Sequence, residues 1–485
     1  MPTTAPIASL LALALAGCFT LTPWPVHAQT DGAIGGSANT AAAWRASSRL
    51  GYAPTPASAQ SASADPRAWA LQQVQAAYAA SRRPPNIPAE LSRFNAPLND
   101  IARDFHVERE ARRTRRDQPA PTAPGQAMQP AIGGDEAFSR EMAQSAAAWR
   151  LMACSDPALE NPLLARMTEF WFNHLNVFVG KGPVRPFVGH YVVNVIRPHA
   201  LGRFEDLLLA SAQHPAMLLY LDQAQSNNRG LNENYARELM ELHTLGVNGG
   251  YTQSDVRELA RILTGWTVNL RGGEGFRFAE RLHDTGDKTL LGRTYVNQGE
   301  AEGQEAIRAL ARHPATARRI ATRLASFFVA DQPPPALVER LSKIFLSTQG
   351  DMRAMMQALV AAPEFWAAGN SLFKTPLDFA CSALTAAGGV KERRDIVQTL
   401  GFLAQAGQPM HGWQTPDGYK TDAATWLAPE ALTRRADFAM GVAQRMPEPV
   451  YLNAFLSPAT RERIALEPLP LRTGLVLASP DFMRK

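Results

Sequence analysis

One stretch near the middle of the chain constrains its folding more than any other. Asn232-Glu-Asn-Tyr-Ala-Arg-Glu-Leu-Met-Glu-Leu-His-Thr-Leu-Gly246 reads as a helix that must lie on a core. Leu231, Tyr235, Leu239 and Leu242 recur at the three- and four-residue spacing that lines up one apolar stripe. Asn232 is the expected N-cap, Glu233 suits the positive helix end, and Gly246 is the expected stop. Beside the stripe, Asn234, Glu238 and Glu241 project from a second face, and His243 lies on the far flank near Leu239. Two carboxylates and an amide bordering an apolar face are costly to bury without partners. The plain alternative is a solvated face. Glu233, Arg237 and Glu241 are spaced as a surface ladder, worth only about 0.2–0.5 kcal/mol per pair.

The first 28 residues carry no Lys, Arg, Asp or Glu, and residues 7–17 form a short apolar run. That run is too short to span a membrane and suits a signal peptide. Cleavage after Ala28 is preferred, and Leu15-Ala16-Gly17-Cys18 offers a lipobox that would instead leave a lipid anchor on Cys18. The protein is therefore expected to be exported, periplasmic or extracellular, with no transmembrane helix in the mature chain. Apart from Cys18 there are only Cys154 and Cys381. Two cysteines make neither a disulfide framework nor a zinc site; one disulfide is open to them in an oxidising compartment, and buried free thiols are the preferred expectation. The net charge of +5 over 485 residues gives little reason to propose nucleic acid as a partner.

The remaining pattern is helical almost throughout. Residues 66–80, 136–153, 161–179, 314–330, 335–347, 352–361, 376–387 and 391–406 carry an amphipathic period with Pro, Gly or polar boundaries. Thr252-Gln-Ser-Asp255 is a capping box opening another helix, closed by Gly265-Trp266. A small extended excursion near 276–291 is the only credible β-structure. The fold expected is all-α: one large helical domain over 44–485, after a mobile segment at 29–43. A basic Pro/Gly-rich insert is placed at 109–135, with Arg109–Arg116 as a solvated helix end and Pro119–Gly134 as a mobile linker.

Polar residues recur inside otherwise apolar segments. Glu169-Phe-Trp-Phe-Asn-His-Leu-Asn176 sets Glu169 and Asn173 one turn apart with His174 beside them. A histidine on so apolar a helix is more often a hydrogen-bonded core residue than a ligand. His283-Asp284 lies in a Gly-containing loop that presents ligands or simply turns. The irregular loop 407–419 carries His411, Trp413, Asp417 and Tyr419, and loops of that length are often functional.

Several of these stretches together resemble a bacterial family known as domain of unknown function 1800. They are RLGYAPTP (49–56), EFWFNHLNVF (169–178), RPHALGRFEDLLLASAQHPAMLLYLD (197–222), NENYARELMELHTLGVNGGYT (232–252), ELARILTGW (258–266) and the HD-x-G-x-K segment at 283–288. HPATARRIATRL, APEFW, KTPLDF and PDGY look similar too, so the resemblance runs from about residue 44 to 485. It implies an exported, mostly helical protein and carries no established catalytic residues. The chain departs from the pattern in the insert before Glu136 and at Leu175, where Phe is expected after His174.

Within that resemblance, Asn173, His174, Asn234, Glu238, His283 and Asp284 all fall in motif segments, so one shared polar site is expected, flanked by Arg237 and His243. Two functions compete. The first is a metal-assisted hydrolase of the cell envelope. His174, Glu238, His283 and Asp284 would hold a divalent metal such as Zn²⁺, Mn²⁺ or Fe, with Glu238 and Glu241 catalytic. Glu241 would be the general base if crowding by Glu238 raised its pKa. No HExxH, GxSxG or P-loop motif supports it. The second is a non-catalytic envelope binding or assembly protein, whose polar motifs form a structural network. Exposed Trp413, Tyr419 and Trp426 would then meet a glycan or protein partner.

Overall fold

Helix starts follow the sequence punctuation closely. Pro stands first in the helices Pro66–Ser81, Pro162–His174, Pro314–Phe328, Pro335–Ser347 and Pro376–Ala386. There its missing N–H costs nothing and its fixed φ is already helical. Asp65, Asn161 and Thr375 cap three of them by accepting backbone N–H groups. The expected Thr252–Asp255 capping box opens Gln253–Ile262. The computed structural model describes residues 38–116, 137–270 and 275–485, and residues 36–485 gather as one unit. The expected signal peptide, both processing sites and residues 117–135 of the insert lie outside the described residues.

Among the described residues the fold is all-α with two small two-stranded antiparallel sheets. Strand β1 (Trp266–Asn269) pairs with β2 (Gly275–Phe278), and β3 (Lys288–Leu290) with β4 (Arg293–Tyr295). Several expectations shift. The N-terminal helix begins at Ala38, inside the segment expected to be mobile. One holds: Arg109–Arg116 is the exposed end of the helix Leu98–Arg116, the solvated helix end the basic cluster suggested. Trp266 opens a strand instead of closing a helix. The helix expected over 161–179 stops at His174, because Asn176 leaves the helical path to bind the loop 407–419.

Pro162–His174 is the axis of the core: Leu163 through His174 are all buried. A helix buried on every side should be apolar all round, so its polar residues need partners, and most of them have one. Arg166 pairs with Asp378, and Glu169 with Arg150. Trp171 is fully buried and donates its indole N–H to the Ala200 carbonyl at 2.9 Å. One apolar cluster surrounds this helix and runs to Phe365. A second, built on Phe379, Phe402, Val442 and Phe482, gathers the C-terminal third against Tyr52, Leu151 and Ala165.

Cys154 and Cys381 form a disulfide, correcting the expectation of free thiols. The helices Ala137–Ser155 and Pro376–Ala386 bring them together across 227 residues of sequence, a proximity that no local spacing announces. In the chain-entropy account a loop of that length is worth about 5 kcal/mol. No helix among the described residues is long and apolar enough to cross a membrane.

Candidate functional site

The central segment is a helix of two kinds. Asn234–Glu238 is α-helical, and Leu239–His243 is a π turn. Asn232 caps from one position farther out, accepting the Asn234 N–H at 2.9 Å. The extra residue in the π turn rotates the residues after it, so Leu242 is only half-buried and His243 is buried. Thr244 holds the turn by donating to the Leu239 carbonyl at 2.6 Å. Gly246, at φ +85°, ends it as expected, its N–H reaching the Met240 carbonyl. Isolated π turns inside helices are frequent at functional sites.

The surface ladder exists as the plain reading had it. Arg237 sits between Glu233 at 3.3 Å and Glu241 at 3.7 Å, all part-exposed. The Tyr251 hydroxyl also feels Glu241: burial first, then that carboxylate, push its pKa up to about 12. Asn234 donates to the Leu221 carbonyl at 3.1 Å, tying the segment to the end of the helix Pro215–Tyr220.

Glu238 differs from its neighbours. Among the described residues no hydrogen bond or ion pair holds its half-buried carboxyl. Burial raises its pKa above the usual carboxylate range; the charges of Glu241 and Asp417 push the same way and Arg237 opposes them. Crowding by Glu241 is thus one cause of the rise at Glu238. Tyr220 feels the same field: burial first, then Glu238 and Asp417, raise its hydroxyl pKa.

Asp417 reaches this place because the Pro162–His174 helix clamps its loop. Asn173 donates to the Tyr419 carbonyl at 3.0 Å and accepts the Tyr419 N–H at 2.7 Å. Asn176 donates to the carbonyls of Trp413 and Thr415 at 3.0 and 2.8 Å. Tyr220 donates to the Gln414 carbonyl at 2.7 Å, and the Tyr419 hydroxyl donates to Glu169. His411 in this loop and Asp222 beneath it hold left-handed backbones, at φ 55° and 60°. Strained residues of this kind cluster at functional sites. Trp426, expected to be exposed, is buried at 5 % exposure and donates to the Lys420 carbonyl.

Behind the carboxylates lie two buried histidines. The His174 Nε2 sits 3.0 Å from the His243 carbonyl, so Nε2 carries the proton and donates. Burial, then the charges of Arg323 and Arg319, hold the His174 pKa well below its usual value. The same causes lower His243 to about 3. Both are neutral near pH 7. Arg319 donates to the Leu242 carbonyl at 2.9 Å, while burial lowers the Arg323 pKa to about 10.

His283 and Asp284 are engaged elsewhere. The His283 Nδ1 lies 2.8 Å from the Thr264 carbonyl, and its Nε2 2.9 Å from Glu302, which Lys288 approaches to 2.6 Å. Arg261 grips both oxygens of Asp284 at 2.8 and 3.1 Å, and that grip lowers its pKa. The four expected metal ligands thus stand in separate surroundings. His174 sits against His243, Glu238 beside Glu241 and Asp417, His283 on Glu302, and Asp284 under Arg261. Among the described residues no group of three or more His, Cys, Asp or Glu side chains is placed to hold a metal ion.

Tyr220, Arg319, Arg323 and Glu302 escaped the sequence reading. Arg319 and Arg323 stand one turn apart within HPATARRIATRL, and Asp417 lies in PDGY, so those two segments held a usable signal. A cleft of about 330 Å³ lined by Tyr52, Trp69, Gln73 and Cys154 contains none of the expected site residues. No curated protein and no solved structure shows significant similarity to the chain. A family model described as a protein of unknown function, DUF1800, matches residues 45–484, and the chain belongs to that family.

Proposed function

We propose that the protein is an exported hydrolase of the cell envelope, working by general acid–base catalysis at the π turn. Glu238 is the acid: it protonates the leaving group. Glu241, which faces Arg237, accepts the proton of the attacking water, with Asp417 adding negative charge that favours a protonated Glu238. The observation that carries this reading is the solitary state of Glu238. Glu169, Glu241 and Asp284 each have an arginine, whereas Glu238 has none among the described residues and is crowded by other carboxylates. Carboxyls perturbed in this way concentrate at catalytic sites. The Cys154–Cys381 disulfide supports export, since such bonds persist in oxidising compartments.

Metal assistance through His174, Glu238, His283 and Asp284 has less support, because Thr264, Glu302 and Arg261 already occupy two of the four. The second reading, a binding or assembly protein, is favoured by one observation: Asn173, Asn176 and Asn234 spend their amides on backbone carbonyls of this chain. The deciding experiment incubates wild type and Glu238→Gln with purified peptidoglycan, envelope polysaccharide and envelope protein, and measures soluble products. The hydrolase reading expects release by wild type and a loss of about 10²–10⁴-fold in the variant at unchanged melting temperature. Equal release by both proteins, or none by wild type on any polymer, sinks it. The second outcome favours the assembly reading.

A further inference from the structure

Two cations in the C-terminal core have no acceptor among the described residues. Lys374 and Arg435 are both at 0 % exposure. The Lys374 Nζ and the Nε, Nη1 and Nη2 of Arg435 meet no hydrogen-bond partner there. Aromatic rings surround them instead. The Arg435 guanidinium lies 4.6 Å from the Phe373 ring centre and 5.2 Å from that of Phe379. The Lys374 ammonium lies 4.2 Å from Phe482 and 5.1 Å from Trp44. Phe379 and Phe482 touch edge to face at 6.2 Å, so both cations line one aromatic wall. Gln408, whose side-chain oxygen accepts the Leu377 N–H, leaves its buried Nε2 without a partner as well.

The charges near them do not balance. Burial pushes the Lys374 pKa well below its ordinary value and that of Arg435 down to about 10, so an added anion would favour the charged form of each. Asp378 is the carboxylate whose field opposes this shift at both. Its two oxygens are already taken, one by Arg166 and the other by Lys485. Arg166 itself has Nε and Nη2 without partners. One negative charge therefore faces two paired cations before Lys374 and Arg435 are added. Stacking on a ring offsets part of the desolvation of a buried cation, but a ring supplies no acceptor for its N–H groups.

We propose that Lys374 and Arg435 bind one small monovalent anion, of the halide class, within the aromatic core of the C-terminal third. Complete enclosure selects the class. The ion must shed its water, which costs far less for a weakly hydrated monovalent ion than for phosphate or sulfate. The guanidinium and ammonium supply charged donors from two sides, and the surrounding rings exclude water. The anion is a structural counter-ion that holds the helix Pro429–Ala443, which carries Arg435, against the segment carrying Lys374.

The test compares thermal and urea unfolding of the full chain in sodium chloride and in sodium gluconate, an anion too bulky to enter, at equal ionic strength. Bromide-soaked crystals are measured at the bromine edge alongside. The folding constant of wild type is expected to rise about tenfold for each tenfold rise in chloride once the site is saturated. An anomalous peak should lie between Lys374 and Arg435. Lys374→Met should flatten the chloride dependence, and the wild-type measurements stand alone if that variant fails to fold. Identical unfolding in the two salts over a tenfold concentration range, with no anomalous peak, overturns the proposal.

Discussion

Replacing Gly418 by alanine probes the join between loop and helix on which the site depends. Gly418 sits at φ +73°, and a Cβ built there would come within 2.1 Å of the Asn173 carbonyl oxygen and 2.3 Å of its Oδ1. Neither atom can retreat easily, because Asn173 is 4 % exposed and lies in the last turn of a helix buried on all sides. The left-handed backbone with a side chain costs about 1–2 kcal/mol. Moving away breaks the paired hydrogen bonds between Asn173 and Tyr419 and leaves a buried amide unsatisfied, costing about 1–3 kcal/mol more. Gly418→Ala is therefore expected to lose about 2–5 kcal/mol if the loop stays docked. If the loop detaches instead, the loss is smaller and cleavage within 411–419 by limited proteolysis accelerates. Urea unfolding and proteolysis of both proteins distinguish the two. A variant within about 0.5 kcal/mol of wild type, with an equally resistant loop, would refute the clamp.

The same geometry sets three other outcomes. Without reduction, peptide mapping should find Cys154 and Cys381 joined, and the double Cys→Ser variant should lose up to about 5 kcal/mol in urea unfolding; alkylation of both thiols in the native protein would contradict this. Asp378→Asn strands Arg166 and Lys485 in the core, so it should cost about 3–5 kcal/mol, whereas an exposed pair such as Lys343–Glu339 should cost under about 1 kcal/mol. His214 accepts the Ala216 N–H on Nδ1, so its Nε2 donates to the His190 Nδ1 at 3.1 Å, and burial lowers the His190 pKa to about 4. A depressed histidine pKa means the unfolded chain takes up the proton first, so this contribution is complete above about pH 6.5 and is lost as pH falls towards 4. Between those limits wild type should lose up to about 1.4 kcal/mol per pH unit more than His190→Phe; parallel slopes would show that His190 does not titrate there.

Helix existence was legible wherever the chain marks its own ends. Pro335–Ser347 and Met352–Ala361 begin and end where Pro335, Asp351 and the apolar period place them. The π turn was not legible, because Leu239 and Leu242 also fit an ordinary helical period. The Thr244 hydroxyl on the Leu239 carbonyl and the Gly246 N–H on the Met240 carbonyl mark the wider turn. His283 and Asp284 read as potential ligands because their partners, Glu302 and Arg261, lie about 20 residues away in sequence with no fixed spacing. The disulfide stayed hidden for the same reason over a longer distance. Asn173 and Asn176 were visible as polar residues in an apolar helix. What they serve depends on where a loop some 240 residues later returns.

The central claim is that Glu238 is an unpaired acid whose proton is held by burial and by the neighbouring charges of Glu241 and Asp417. Carboxyl ¹³C titration of glutamate-labelled protein tests it directly, with Glu238→Gln assigning the resonance. The account predicts a titration above the ordinary glutamate value of 4.5 that moves down in Asp417→Asn. A resonance titrating at or below 4.5, indifferent to Asp417→Asn, would contradict it.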